Sequence, residues 1–165
     1  MKHRISQGTI SLLCGSHSIV HSILVMKAWR HLYGGWPKPW ECICILLHDV
    51  GHVGTNYLDN VEQKNQHWIL GAALAGALFW EKGYELTAGH CKHSGVPQSP
   101  MYKADKYSWL LAPTWWLWLN TVAEPPLCMG YSRMGAIQAF RTQVKKSIES
   151  GEFAETHSFF LDRCK

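Results

Sequence analysis

Charged side chains are scarce in this chain: Asp, Glu, Lys and Arg make up 17% of its 165 residues, where about 25% is usual. Together with a 47% hydrophobic content, that scarcity excludes a disordered chain and calls for a dense core. Paired cysteines are missing as well. The six Cys, at 14, 42, 44, 91, 128 and 164, include no C-x-x-C, and no N-x-S/T acceptor occurs, so neither a thiolate zinc site nor a disulfide framework is expected. With no secretory signal recognised, the expected setting is the reducing cytoplasm.

Long apolar runs are absent too. Trp68 to Trp80 covers 13 residues and Trp109 to Val122 covers 14 with Pro113 inside, against about 20 for a bilayer crossing. No transmembrane segment is expected; both runs read as buried helices, and a peripheral membrane contact through Trp109, Trp115, Trp116 and Trp118 is the lesser alternative. Strand-like alternation, internal repeats and low-complexity stretches do not occur. The formal charge of +4 favours anionic ligands, but it is too small and scattered for a nucleic-acid groove, so no stable nucleic-acid complex is expected.

What the sequence does hold is helical periodicity. A first helix is expected over 15–32, ended by Gly34-Gly35, and a second after Pro37 and Pro39 that is apolar on every face until His48-Asp49. Asn60-x-x-Gln63 resembles a capping box opening a third helix, whose inner stripe is expected to be His67, Leu70, Leu74 and Leu78, with a break at Gly83. A short helix over 84–93, a fifth through Tyr102, Asp105 and Trp109 up to Pro113, the Trp-rich segment, a Glu124-Pro125-Pro126 connector and an amphipathic helix through Ala136 to Ile148 complete the pattern. One all-α domain over 1–165 follows, long enough to bury roughly 70% of its unfolded surface.

Ten His against four Asp is the second excess, and eight of the His fall between His17 and His93. Several lie on apolar stripes, where an unpaired polar group costs about 1 to 3 kcal/mol. His21 is on the first helix, His48-Asp49 ends the most apolar one, His67 heads the Leu stripe and Asp105 interrupts the fifth helix. A divalent cation resolves the conflict by turning imidazoles and carboxylates into ligands. His3, His31 and His157 have no such context and read as surface residues.

The order of His21 in "HSILV", His48-Asp49 in "LLHDVGH" and Asp105 in "YKADKYS" resembles the HD superfamily of metal-dependent phosphohydrolases across 17–109. Locally, "HSIVHS" from His17 to Ser22 and "HDVGHVGTN" from His48 to Asn56 are similar to the H-N-x-x-H-A and H-D-x-D-H-x-G-x-N stretches of cyclic-nucleotide phosphodiesterases, with Gly51 at an acidic position. "HWILGAALAG" and "GHCKHSG" resemble the extra histidine positions of two-metal members. The resemblance implies a single HD-like helical bundle, with the helices of 109–150 appended. His21, His48, Asp49 and Asp105 would be ligands of one ion, and His67, His90 and His93, the last two one helical turn apart, would complete a second site bridged by Asp49. Mn, Fe, Co, Ni, Mg or Zn would serve, one or two ions per chain, activating water for attack on phosphorus. His17 or His52 would protonate the leaving oxygen and Lys106 would hold a phosphate.

The function implied is hydrolysis of a small nucleotide, first a phosphodiester, with nucleotidase or nucleoside triphosphate hydrolysis as the alternative. A non-catalytic, metal-stabilised nucleotide-binding module is the second alternative, distinguished by binding without turnover. The Trp cluster at 109–118 reads as core or subunit contact rather than a base-stacking platform, which leaves room for a homo-oligomer.

Overall fold

The computed structural model describes residues 5–150, so His3, His157 and Cys164 lie outside the described residues. Eight α-helices follow in order: α1 (Gln7–Cys14), α2 (Ile19–Tyr33), α3 (Pro39–Leu47), α4 (Val61–Asn65), α5 (Trp68–Ala88), α6 (Pro100–Leu111), α7 (Thr114–Ala123) and α8 (Arg133–Glu149). Among the described residues there is no strand, so the all-α expectation holds.

Local chemistry sets the boundaries. Gly34 takes φ 74° and its N–H caps α2 on the Arg30 carbonyl, a conformation that glycine adopts without strain. Pro39 opens α3, where the Glu41 carboxylate accepts the Lys38 N–H at 2.6 Å. Asn60 caps α4 by accepting the Gln63 N–H at 3.0 Å, but Gln63 does not return the bond; its side-chain oxygen accepts from the Asn56 N–H at 2.8 Å. Pro113 ends α6 by holding Ala112 extended. Helix α1 was not legible: eight residues capped by Ser6 onto Thr9 carry too short a pattern. The expected helix of 15–32 starts only at Ile19, because Gly15 to Ser18 form a turn.

Two apolar clusters share α2 and α6. One joins Val25, Ala28 and Trp29 to Cys44, Ile45, Ala75, Leu86, Met101 and Ala104; the other joins Leu24 and Trp109 to Trp116, Leu117, Ile137, Phe140 and Val144. Trp109 and Trp116 are therefore core residues, whereas Trp115 and Trp118 are exposed. Among the described residues no single helix is long and apolar enough to cross a membrane.

Helix α5 corrects two expectations. Its Leu70, Leu74 and Leu78 are 42%, 42% and 56% exposed, and the inward face is instead Gly71, Ala72 and Ala75. Small residues prevail because α5 lies so close to the end of α3 that a Cβ on Gly71 would overlap the Leu47 carbonyl. The break also falls at Phe79 and Trp80, not Gly83. There the helix folds back, bringing the Tyr84 ring to 6.4 Å from Trp68, and Gly83 is the contact against the Ala75 carbonyl that permits the return.

Gly71→Ala is expected to destabilise the protein by about 1–3 kcal/mol in urea unfolding through this overlap, while Gly35→Ala, in open space, leaves the midpoint within error. Equal midpoints for the two variants would show that α5 does not seat on α3 in this way.

Candidate metal centre

The close seating of α5 on α3 delivers its histidines to the end of α3. His48 and Asp49 follow α3 directly, and a short 3-10 turn over Val50–His52 carries His52 beside them. His67 precedes α5, His90 follows it, His21 sits in the first turns of α2, and Asp105 faces inward from α6. His17 comes from the turn before α2. All are buried except His67, whose side chain is 16% exposed.

Asp49 stands at the middle of the set. Its Oδ2 lies 3.0 Å from His48 Nε2 and 3.4 Å from His21 Nε2, and His21 Nε2 is also 2.9 Å from Asp105 Oδ1. Its Oδ1 faces the other way, 3.8 Å from His67 Nε2 and 3.9 Å from His90 Nε2. Three sets each bring their donor atoms within 4.8 Å of one another: His21, His48 and Asp49; Asp49, His67 and His90; and His17, Asp49 and His52. The Trp109 ring stacks on His21 at 4.8 Å and fixes its plane.

The protons of this cluster can be placed. His48 donates its Nδ1–H to the Ile45 carbonyl at 2.6 Å, His67 to Lys64 at 2.5 Å, and His90 to Thr87. Each acceptor is a carbonyl three residues earlier, which has no hydrogen to give, so Nδ1 must be the protonated nitrogen. The neutral rings therefore present lone pairs at Nε2. His67 Nε2 and His90 Nε2 then lie 2.9 Å apart with the Asp49 carboxylate beyond them, an arrangement of acceptors only. His48 Nε2 and Asp49 Oδ2 are likewise buried, 3.0 Å apart, with no hydrogen between them while His48 is neutral. Such a cluster needs a cation or an added proton, and outward Nδ1–H bonds are the usual way a protein orients metal-binding imidazoles.

The titration pattern agrees. Burial disfavours the His48 cation, but Asp49 and Asp105 outweigh it and push the pKa up to about 9. Burial also opposes both carboxylates; even so, His48 and His17 hold Asp49, and Lys106 and His21 hold Asp105, well below the usual range. His90 and His17 are lowered to about 3, chiefly by burial, and His67 is lowered for the same reason. The Asp49-centred sets can hold a metal ion, and His48 carries the substitute proton when none is bound.

The remaining site positions divide. His52 is buried between His17, tilted against it at 4.0 Å, and His67, stacked on it at 4.7 Å. Lys106 Nζ reaches Asp105 Oδ2 at 2.9 Å and lines the same cavity. His93 lies at the cavity rim, exposed, in a separate 3-10 turn over Lys92–Ser94; it does not share a helical turn with His90 and belongs to none of the three sets. Gly51 is glycine for a local reason, since any side chain there would overlap the His67 carbonyl. Sequence reasoning missed buried Lys64 and Asn65 in the cavity wall, and it read Glu124 as a connector although it is buried against Ser16 and Tyr57. Lys64 three residues before His67 was the available signal for that lysine; Glu124 had none.

Comparisons with family models, with curated proteins and with solved structures find no match to this chain.

Binding of Mn2+ at pH 7.5 is expected to release about one proton, because His48 is protonated below about pH 9 and must be neutral to ligate. Apparent affinity should accordingly rise with pH and level off above that value. Calorimetry in buffers of different ionisation enthalpy measures the release; none at pH 7.5 would contradict this placement of protons.

Proposed function

We propose that the protein is a divalent-cation-dependent phosphohydrolase acting on nucleotides. The observation that carries the reading is Asp49, with one oxygen toward His21 and His48 and the other toward His67 and His90. His21, His48, Asp49 and Asp105 would hold one ion; His67 and His90, sharing Asp49, would hold a second. When bound, such ions activate water and offset charge on a phosphate.

The chain's own residues have separate tasks. Lys106 and Lys64 bring positive charge to the cavity wall, suiting an anionic group. His52 lies in the same wall and is the candidate to give a proton to the leaving oxygen. Trp109 is buried on its His21 face, so it orients that ligand and does not stack a base. The cavity measures about 40 Å³, space for a few waters, with His93 at its rim.

The test is phosphate release from nucleoside mono- and triphosphates, cyclic nucleotides and dinucleotides with Mn2+, Co2+, Ni2+, Mg2+ or Fe2+. Turnover is expected with a cation, lost on chelation, and reduced at least 10³-fold in Asp49→Ala, which removes the group common to both ion positions. Protein that gains thermal stability from the cation and binds nucleotide yet turns over no substrate would replace this reading with a metal-stabilised binding module.

A further inference from the structure

A chain of buried polar groups runs from the cluster to the far end of α7. Ser11 of α1, Ser16 and His17 of the following turn, Tyr57 and Glu124 are each at least nine-tenths buried. Glu124 accepts the Ser16 backbone N–H on Oε2 at 2.7 Å, and the Ser16 hydroxyl at 3.2 Å together with the Tyr57 hydroxyl on Oε1. Ser16 Oγ is 3.0 Å from Ser11 Oγ and 3.1 Å from His17 Nδ1, and Ser11 Oγ is 2.7 Å from the same Nδ1. No helix pairing requires so many polar groups in one place, and each would be costly if left unbonded.

We propose that Glu124 is a positioning residue that fixes the tautomer of His17 through Ser16 and Ser11, so that His17 offers a lone pair to the Asp49 centre and not a proton. A carboxylate only accepts, so the Ser16 hydrogen is committed to Glu124. Ser16 Oγ can then only accept from its other neighbours. Were Ser11 to direct its hydrogen to His17, Ser16 Oγ would face lone pairs on both Ser11 and Nδ1. With Ser11 donating to Ser16, every hydrogen points toward the carboxylate, and Nδ1 faces two oxygens with no hydrogen left to give. Nδ1 therefore carries the proton, which leaves Nε2 as the bare nitrogen of the set formed with Asp49 and His52. The same outward bond is made by His48, His67 and His90 to backbone carbonyls; for His17 a hydroxyl relay ending on a carboxylate takes that place. The proton-donor role that sequence alone allowed to His17 or His52 falls to His52.

Only the consequence for ion binding rests on the proposed function; the tautomer does not. Long-range 1H–15N spectra of 15N-histidine-labelled, chelator-treated protein at pH 8, with the signal assigned by its loss in His17→Gln, read the tautomer without metal or substrate. Wild type is expected to show the Nδ1–H form. In Glu124→Gln the amide oxygen keeps the Ser16 N–H, and its NH2 turns the hydroxyls around, so His17 should shift to Nε2–H. Tyr57→Phe leaves Ser16 bonded to Glu124 and should keep the wild-type form. If Glu124→Gln does not fold, Ser16→Ala breaks the relay one link later and should lose the wild-type tautomer equally. A proton on Nε2 in wild type, or an unchanged tautomer in Glu124→Gln, overturns the proposal. Absent phosphate release would refute the enzyme reading alone.

Discussion

A carboxylate buried among imidazole lone pairs is the constraint from which the rest of this structure follows. Asp49 is ionised in the core, beside His48, His67 and His90, whose Nδ1 hydrogens are directed to backbone carbonyls. Leaving such a charge without a counter-ion costs several kcal/mol. The helices around it are arranged for close approach as much as for apolar burial, with Gly51 and Gly71 admitting the His67 turn and α5 to the end of α3. The exposed Leu70, Leu74 and Leu78 are the price of that approach: α5 presents its small residues to α3, and the larger ones face outward.

The orienting bonds repeat one local device. A histidine that donates Nδ1–H to the carbonyl three residues earlier needs only a turn of backbone, and such turns occur at the end of α3, after α4 and at the end of α5. Secondary structure thus sets the direction of each ring, while tertiary packing brings the rings together. His21 is held differently, by stacking on Trp109 and by its position between Asp49 and Asp105, which ties the cluster to the second apolar core.

Much of the centre was legible because buried polar residues on apolar helices need a reason. His21, His48, Asp49 and Asp105 could be gathered from periodicity and order, His67 from its place at the head of an apolar stripe, and His90 only from the family resemblance. His93 was misplaced because the helix was carried through Gly89, where the chain instead turns. The inward face of α5 was misread because a hydrophobic stripe ranks Leu above Ala, whereas the spacing between helices here ranks small above large. Glu124 was invisible for a different reason: its partners Ser11, Ser16 and Tyr57 are remote in sequence, and only folding assembles them.

A crystal structure of Mn2+-soaked protein, with anomalous scattering recorded at the manganese edge, tests the central claim most directly. The account predicts an anomalous peak between Asp49 and the His67–His90 pair and another between Asp49, His21 and His48. Full-length density for both histidine pairs with no peak beside Asp49 would show that added protons alone balance the cluster.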